Sequence, residues 1–401
     1  MTAISNAPAC ACIAQKAPKN LVSTACTMIP CRQSWKCGHQ TWKCGKITFI
    51  MAKEFTILGI ESSCDETAAA IVSKDKSIHA NKIASQIETH ALHGGVVPEV
   101  AARAHLEMID DVIVSALADA GMTLDDIDGV AATAGPGLIG GVIVGTVAAK
   151  AIAAARSIPY YAVNHLEGHA LSGRLCSDIA FPYLLLLVSG GHTQLLAVTA
   201  PGKYRRMGTT MDDAAGEAFD KCAKIMGLGY PGGPAIEKAA ITGDAKSITL
   251  PRPLRRADNC HFSFSGLKTA LATKLAQLGG VQTAPINDLA ASLQAAIADC
   301  LADRTRRAMQ IFTTVNATNT LVIAGGVAAN KAIFTRLQTE ADAAGFQIVV
   351  PPARLCTDNA AMIAWAALER HDQPDQLDFE PRPRWPLDPD ASPPPGRGVR
   401  Q

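Results

Sequence analysis

Two histidines, His165 and His169, stand four residues apart in the segment Asn-His-Leu-Glu-Gly-His that begins at residue 164. On a helix this spacing places both imidazoles on one face, where they can bind the same metal ion. In the zinc-protease motif His-Glu-x-x-His the glutamate directly follows the first histidine, whereas Glu167 comes one residue later. At about 100° per residue, Glu167 is roughly 200° from His165 and points away from the metal face. The pair predicts a metal site without a protease's general base, the alternative being two histidines packed in a core.

Carboxylates supply further candidate chemistry. Asp358 is a candidate third ligand, since two imidazoles and one carboxylate suit Fe²⁺ or Zn²⁺; as the first residue of a predicted helix it is equally well explained as a cap. Asp213, Glu217 and Asp220 have spacings of four and three and are predicted on one helix face. Acids on one face repel unless they bind a cation, basic side chains or sugar hydroxyls, and otherwise they form a solvated surface.

Glycine-rich turns follow predicted apolar strands at several places. Ser189-Gly-Gly-His192 and Gly325-Gly-Val-Ala-Ala-Asn330 are two of these turns, and another lies at 135–141. Glycine lets a phosphate or nucleoside approach backbone N–H groups, although each turn alone is also explained as a tight connection. Together with the acidic tip of the hairpin at 55–73, they form the pattern expected when a nucleotide is held between two facing domains.

The elements that position these residues follow from the hydrophobic pattern. A hairpin at 55–73 and another at 183–198 repeat one arrangement of strand, polar tip and strand, which predicts two copies of one domain. Helices are predicted at 99–120, 142–156, 214–226, 288–315, 328–342 and 358–369, with further strands at 129–134, 320–324 and 346–350. This alternation predicts an α/β protein with mixed sheets. The proline-rich chain after residue 371 is predicted to be an unstructured end.

Composition narrows the class of protein. The chain has 401 residues, 48% of them hydrophobic, enough for two domains. It contains no run of 18 uncharged apolar residues, so no association with a membrane is expected. Beyond residue 50 there are 31 basic and 36 acidic residues. A mildly acidic body does not bind nucleic acid generically, and RNA contacts must come from local patches or from partners.

Residues 1–50 differ from the rest of the chain. They contain six Lys or Arg, no acid and six of the twelve cysteines. Three explanations stay open: a targeting peptide, a small metal or disulfide module, and upstream sequence translated from a misplaced start. We favour the last, because Met51 directly precedes a strand pattern. The six later cysteines are expected to be reduced, buried thiols of a cytosolic protein.

Six segments resemble, in order and spacing, the TsaD family of tRNA adenosine threonylcarbamoyltransferases, once labelled O-sialoglycoprotein endopeptidases. They are Gly59-Ile-Glu-Ser-Ser-Cys-Asp-Glu-Thr67, Asn164-His-Leu-Glu-Gly-His169, Leu187-Val-Ser-Gly-Gly-His-Thr-Gln194, Asp213-Ala-Ala-Gly-Glu-Ala-Phe-Asp-Lys221, Phe262-Ser-Phe-Ser-Gly-Leu-Lys268 and Gly325-Gly-Val-Ala-Ala-Asn330. The resemblance covers about residues 54–388.

The resemblance implies a fold and an activity. The fold would be two related actin/heat-shock/sugar-kinase-like (RNase H-like) domains with an adenine nucleotide in the cleft. The first domain would comprise 54–160 plus about 358–388 and the second 161–357, with a disordered tail at 389–401. The activity would be transfer of the threonylcarbamoyl group of threonylcarbamoyl-AMP to N6 of adenosine 37, in tRNAs that read codons beginning with adenine. TsaB-like and TsaE-like proteins would be partners, and the protein would be cytoplasmic, or mitochondrial if residues 1–50 are a transit peptide.

The resemblance also implies roles for residues of this sequence. His165, His169 and Asp358 would bind the metal, with Fe²⁺ the usual assignment and Zn²⁺ possible. Asp65 and Glu66 would lie near the reacting centre, and either is a hypothetical acceptor of the amine proton. Contacts to the adenylate or its acyl group would come from Val188, Ser189, Gly190, Gly191, His192, Asp220, Gly233 and Asn330.

Other assignments stay open from the sequence. A zinc endopeptidase lacks support because Glu167 is displaced, and a sugar kinase or chaperone-type ATPase needs acids and Mg²⁺ but no histidine pair. Three basic clusters are candidate tRNA contacts, or else solvated surface. They are Lys203 with Arg205 and Arg206, Arg252 with Arg255 and Arg256, and Arg304 with Arg306 and Arg307.

Overall fold

The computed structural model describes residues 54–86, 90 and 96–393. The predictions for residues 1–50 lie outside these ranges. The strands are β1 (Thr56–Glu61), β2 (Glu66–Ser73), β3 (Ile78–Ser85), β4 (Gly129–Gly135), β5 (Tyr160–Asn164), β6 (Tyr183–Val188), β7 (Thr193–Ala200), β8 (Lys203–Thr209), β9 (Thr320–Ala324) and β10 (Gln347–Val349). The helices are α1 (Pro98–Ala120), α2 (Ile139–Arg156), α3 (His165–Cys176), α4 (Ala215–Met226), α5 (Gly232–Ala240), α6 (Ser265–Gln277), α7 (Ile286–Phe312), α8 (Lys331–Ala344), α9 (Ala353–Cys356) and α10 (Ala360–Leu368).

The strands form two sheets with the same topology. The first has the order β3-β2-β1-β4-β5 and the second has β8-β7-β6-β9-β10. In each sheet the first two strand pairs are antiparallel, and the central strand is parallel to its other neighbour. The predicted duplication is therefore confirmed, as is the α/β class with mixed sheets. Because parallel strands end at one edge, the turns after β1, β4 and β5 come together, as do those after β6 and β9.

Close packing brings a distant part of the chain onto the first sheet. A Cβ on Gly59 of β1 would lie 2.5 Å from the carbonyl oxygen of Ala360, so α10 lies directly on this strand. The residues of α10 are all buried, which agrees with its sequence of alanines and large apolar side chains. Asp358 precedes α10 by two residues and is thereby carried from the end of the chain to the first sheet.

The prediction of an unstructured end after residue 371 is wrong for the described residues. The segment from 372 to 393 has no helix or long strand, yet it hydrogen bonds to the body: Arg382 N donates to Ala134 O at 2.7 Å, and Arg206 N donates to Asp388 Oδ2 at 2.7 Å. Arg382 also stacks on Phe379 and Trp385. Prolines exclude regular elements but not burial against a preformed surface, and composition alone does not distinguish the two. Residues 394–401 lie outside the described ranges.

Helix α2 has an unusual surface. Among the described residues it is the one helix that is long and apolar enough to cross a membrane by length and composition, with about a third of it buried. One face packs on α1 and β4. On the other face Ile139, Ile143 and Val147 are 45%, 44% and 58% exposed. Spaced by four residues, they form an apolar stripe on one side of the helix.

Candidate metal centre and ligand cleft

His165, His169 and Asp358 come together as predicted. Nε2 of His169 lies 3.1 Å from Asp358 Oδ1, and Nε2 of His165 lies 3.5 Å from the same oxygen. The ligand atoms of the three residues all lie within 4.8 Å of one another. Both histidines are in α3, which Asn164 caps by accepting a hydrogen bond from Leu166 N. Two imidazoles and a carboxylate that converge in this way can hold a divalent transition metal.

Glu61, at the end of β1, orients the first histidine. Nδ1 of His165 donates to Glu61 Oε2 at 2.9 Å, which leaves Nε2 free to face Asp358. Glu61 is itself held by Thr133 Oγ1, which donates to Oε2 at 2.6 Å, and by Ser63 N, which donates to Oε1 at 2.6 Å. A carboxylate behind a metal-binding histidine fixes the ring and raises the basicity of the ligand nitrogen. Sequence reasoning missed this role, although Glu61 stands in the first motif.

The charges of this cluster shift the pKa values of its members. Burial would raise the pKa of Asp358, but the imidazoles of His165 and His169 hold it well below its usual range. Burial would lower the pKa of His165, but Asp358 and Glu61 raise it to about 9. Burial, followed by the charges of His165 and His169, lowers the pKa of His192 to about 4. A neutral His192 therefore faces a pair of ligands that attract a cation.

Glu167 points away from the centre, as its displaced position predicts. Its Oε1 accepts hydrogen bonds from Gly202 N at 2.7 Å and from the Tyr204 hydroxyl at 2.8 Å. Both partners belong to the second sheet and its hairpin turn, so this carboxylate fastens α3 to that sheet. Because this Oε1 is engaged there, the peptidase alternative loses its general base.

The acidic tip between β1 and β2 lies beside the metal centre. The Glu66 carboxyl has its pKa raised to about 10 by burial, then by the charges of Asp358 and Asp65. Burial raises the pKa values of Asp220 and Tyr230, and the charge of Asp65 contributes to both shifts. The acidic tip therefore lies near these two side chains.

The turn at 189–191 is held by close backbone contacts. Ser189 N donates to His192 O at 2.8 Å, and Glu217 N donates to Gly190 O at 3.1 Å. Gly325 has φ +97°, and a Cβ there would lie 2.3 Å from Val188 O, so only glycine allows the two strand ends to meet. By contrast, a Cβ on Gly190 or Gly191 would have no atom within 4 Å. These two residues border open space that a ligand can approach.

The other residues predicted to contact the ligand differ in whether they already have partners within the protein. A Cβ on Gly233 also meets no atom within 4 Å. Asp220 Oδ1 accepts from Gly232 N at 2.7 Å, so this carboxylate fixes the start of α5. Asn330 caps α8 by accepting from Ile333 N at 3.0 Å, and its Nδ2 donates to Gln294. The side chain of Asn330 is thus already engaged within the protein.

The predicted acidic face is neutralised inside the chain. Asp213 precedes α4 instead of belonging to it, and Lys221 Nζ lies 2.7 Å from Asp213 Oδ1 and 2.8 Å from Glu217 Oε1. Of the alternatives open from the sequence, a basic side chain is therefore the partner. Asp220 lies apart from this pair, at the cleft.

Fewer residues of the three basic clusters are free to bind RNA than the sequence suggests. Arg304 is 2% exposed and donates to the backbone oxygens of Ala257 and Asn259, so it is a structural residue and not an RNA contact. Arg252 and Arg306 pair with carboxylates of α7. Arg255 and Arg256 remain exposed at the rim of a cavity of about 250 Å³ that Arg306 and Arg336 also line. Lys203 and Arg205 are exposed on β8.

Comparisons with known proteins agree with this geometry. A sequence profile of TsaD, tRNA N6-adenosine threonylcarbamoyltransferase, matches residues 77–365. The tRNA N6-adenosine threonylcarbamoyltransferase of Rhodospirillum rubrum is 56% identical over 358 residues, covering 87% of this chain and 99% of the relative. The enzyme of the same name from Brucella suis is 55% identical over 353 residues, covering 86% and 98%. Among solved structures, full-length HypF in its phosphate- and nucleotide-bound form has a TM-score of 0.53 at 13% identity, covering 80% of this chain and 56% of HypF.

Proposed function

The chain belongs to the family of tRNA N6-adenosine threonylcarbamoyltransferases. From this premise we propose how its residues bind the substrates and transfer the threonylcarbamoyl group. It is an acyltransferase that modifies N6 of adenosine 37 in tRNA. The observation that carries the proposal for the site is the convergence of His165, His169 and Asp358 beside an acidic tip and an open glycine turn. The donor group is the threonylcarbamoyl of threonylcarbamoyl-AMP.

The metal ligands would be Nε2 of both histidines and one oxygen of Asp358. Their chemistry suits Fe²⁺, and Zn²⁺ fits the same donors. When bound, the cation would polarise a carbonyl or phosphoryl oxygen and offset negative charge. Glu61 keeps Nδ1 of His165 protonated and its Nε2 directed at the ligand group. The neutral His192 adds an imidazole without adding positive charge to the centre.

The adenylate would lie against the turn at 189–191 and the start of α5. Gly190, Gly191 and Gly233 border open space, so a phosphate can approach the backbone there. Asp220, which holds Gly232, would position this edge of the site. The open space at Gly190 and Gly191 is consistent with an adenine nucleotide in the cleft and does not depend on the Asn330 side chain.

The acidic tip, with Asp65 and Glu66, would accept the proton that the N6 amine of adenosine loses. The N6 amine of adenosine attacks the carbamoyl carbon, a C–N bond forms, and the C–O bond to phosphate breaks so that AMP leaves with its electron pair. The amine must lose one proton. A Glu66 carboxyl with its pKa raised to about 10 holds its own proton at neutral pH, and its pKa reflects a side-chain hydrogen bond with Asp65. Of the two hypothetical acceptors we therefore favour Asp65, with Glu66 as its neighbour that donates a hydrogen bond.

The direct test is transfer in vitro. The protein, with its partner proteins, is incubated with threonylcarbamoyl-AMP and unmodified tRNA, and the tRNA nucleosides are then separated. We expect the threonylcarbamoyl nucleoside to form, and to be lost when adenosine 37 is replaced by guanosine. Cleavage of a glycoprotein substrate without any modified nucleoside would instead support the endopeptidase alternative.

Partners and location are also part of the proposal. A TsaB-like protein would cover the apolar stripe of Ile139, Ile143 and Val147 on α2, because an exposed stripe of this kind is typical of an interface. Charged replacement of Ile143 should abolish co-purification with a TsaB-like protein and leave the metal content unchanged. Retained co-purification would place that partner elsewhere, and a TsaE-like protein would then be tested on the same variant. We place the enzyme in the cytoplasm.

Contacts to tRNA are proposed for the basic residues that the structure leaves exposed. Arg255 and Arg256 are the strongest candidates, since their neighbours in the same pocket are paired with acids. Replacing both with alanine should weaken tRNA binding and reduce its dependence on salt. Lys203 with Arg205 on β8, the second exposed basic pair, is replaced in the same way for comparison, and its effect should be smaller.

A further inference from the structure

A row of buried polar side chains lies behind the acidic tip and takes no part in the chemistry described so far. It consists of His90, Gln86 and His105, which we call the relay. His90 and His105 are 0% exposed and Gln86 is 2% exposed. Gln86 follows β3 directly, and His105 lies in α1. Buried side chains of this kind need hydrogen-bond partners, and here those partners lead to the tip.

His105 is at the centre of the row. Its Nε2 lies 3.2 Å from the carbonyl oxygen of Cys64, and its Nδ1 lies 2.8 Å from Thr67 Oγ1 and 3.2 Å from Gln86 Nε2. The ring also packs closely on α2, because a Cβ on Gly141 would lie 2.9 Å from its Cδ2. The position of the ring is thus determined on every side by contacts.

The direction of these hydrogen bonds follows from which atoms can donate a proton and which can only accept one. A carbonyl oxygen can only accept, so Nε2 of His105 donates to Cys64. Burial lowers the pKa of His105, outweighing the hydrogen bond to Cys64 and the nearby carboxylates of Glu61 and Asp65. The ring is therefore neutral, with its single N–H at Nε2. Nδ1 must accept, which both the Thr67 hydroxyl and the amide N–H of Gln86 allow.

The same reasoning extends to the other histidine. Because Gln86 turns its amide nitrogen toward His105, its Oε1 faces Nε2 of His90 at 3.1 Å and must accept. His90 then carries its proton on Nε2, and its Nδ1 accepts from Val97 N at 3.4 Å. The four hydrogen bonds that link Val97, His90, Gln86, His105 and Cys64 all point toward Cys64. Reversing any one member would oppose two donors or two acceptors.

The carbonyl oxygens of the two peptide bonds that flank Asp65, the proposed proton acceptor, both accept hydrogen bonds from the relay. Cys64 O, in the peptide bond before Asp65, accepts from His105, and Asp65 O, in the peptide bond after it, accepts from Gln86 N at 2.9 Å. We propose that the relay positions Asp65 for proton transfer, with His105 as the principal positioning residue. The proposal rests on the proposed function, which makes Asp65 the acceptor of the amine proton.

The first experiment compares His105→Gln with His105→Leu in the holoenzyme. Glutamine can place an amide N–H near Nε2, whereas leucine cannot donate at all. We expect leucine to lower kcat on the order of 10²-fold, as for a misplaced catalytic group, with the KM for threonylcarbamoyl-AMP nearly unchanged. Glutamine should recover most of that loss. The control is Ile109→Ala, one turn further along α1, which lowers the melting temperature without touching the relay.

The outcome of this comparison decides between positioning and mere stability. If His105→Leu loses no more kcat than Ile109→Ala at a similar melting temperature, the positioning role is wrong. The same conclusion follows if glutamine recovers nothing while folding as stably as the wild type.

The second experiment reads the proton positions without activity. Nitrogen-15 NMR of the histidine rings should show His105 as the neutral Nε2–H tautomer around neutral pH. Gln86→Glu replaces the donor facing Nδ1 by an acceptor, so His105 should take up a second proton and show both nitrogens protonated. An Nδ1–H tautomer in the wild type would overturn the relay. Because this measurement needs no substrate, it distinguishes a failed relay from a failed proposed function.

Discussion

At the residue scale, the state of His165 sets how a metal enters the site. Asp358 and Glu61 raise its pKa to about 9 against the effect of burial, so at neutral pH the ring holds two protons and must release one to bind a cation. The two acids thus attract a cation to the site and at the same time retain a competing proton. Metal affinity should depend on pH for this reason.

The first prediction concerns that dependence. Below pH 9 the affinity for Zn²⁺ should rise by about tenfold per pH unit as the proton on His165 becomes easier to displace. Competition titration with a chromophoric chelator at several pH values measures this. Glu61→Gln removes one of the two carboxylates, so its affinity should be lower by about 10- to 100-fold and should level off at a lower pH. An affinity of the wild type that does not change between neutral pH and pH 9 would contradict the account.

The second prediction separates the two acids of the tip. Asp65→Asn removes the proposed proton acceptor and should lower single-turnover transfer by about 10²-fold or more. Glu66→Gln replaces a neutral carboxyl by a neutral amide that still donates a hydrogen bond, so transfer should fall by no more than a few-fold. Metal content, measured on both variants, should be unchanged. The reverse order of effects would assign the proton to Glu66.

At the element scale, the candidate site is formed where parallel strands end at the same edge of each sheet. Glu61 meets His165 only because β1 and β5 flank β4 and run parallel to it, so all three end at one edge. The turn at 189–191 meets Gly325 for the same reason in the second sheet. A site assembled from strand ends places each side chain on a rigid support.

The third prediction uses two glycines that differ in what surrounds them. Gly216→Ala should lower the free energy of unfolding by about 1–3 kcal/mol, because a Cβ there would lie 2.7 Å from Ser189 O and from Gly190 Cα. Gly233→Ala adds a methyl group in open space near the start of a helix and should leave stability unchanged or slightly higher. Its effect should instead be weaker binding of threonylcarbamoyl-AMP, measured by calorimetry. Stronger destabilisation by Gly233→Ala than by Gly216→Ala would be inconsistent with this packing.

Sequence reasoning found the elements whose pattern is local. Thr320–Ala324 and Tyr183–Val188 are apolar runs, and both strands have the predicted bounds. It missed β3 and β8, whose mixed polar and apolar residues suit the edges of sheets, and α5, which begins with two glycines. It also missed β5, a buried strand of five residues, and α6. Spacing and resemblance pointed to His165, His169 and Asp358, which the structure brings together. The contact of Glu61 with His165 depends instead on which strands are neighbours. The tautomers of the relay depend on tertiary contacts and have no local signature.

At the scale of the whole molecule, the segment at 372–393 contacts both sheets. Asp375 Oδ2 accepts from Ala162 N at 2.9 Å, on the edge strand β5. Asn164, which caps the helix of the candidate metal ligands, donates to Trp385 O at 2.9 Å. The proline-rich segment therefore supports the same helix that carries His165 and His169.

The fourth prediction follows from that support. A chain that ends after residue 373 loses these contacts and the burial of Trp385 and Leu387, and its free energy of unfolding should fall by more than about 3 kcal/mol. Its affinity for Zn²⁺ should fall as well, since the cap of α3 loses a partner. A chain that ends after residue 393 is the matched control and keeps every described contact. Chemical denaturation measures both variants, and equal stability would show that the segment only covers the surface.

The most direct test of the central claim joins the metal centre to the transfer reaction. Metal-free protein, the same protein reloaded with Fe²⁺ or Zn²⁺, and Asp358→Ala are compared in single-turnover transfer from threonylcarbamoyl-AMP to unmodified tRNA, with partner proteins present. The account predicts that reloaded wild type modifies adenosine 37, and that metal-free protein and Asp358→Ala are slower by at least about 10²-fold. Equal transfer by all three would contradict it, because His165, His169 and Asp358 would then not form the working centre of this enzyme.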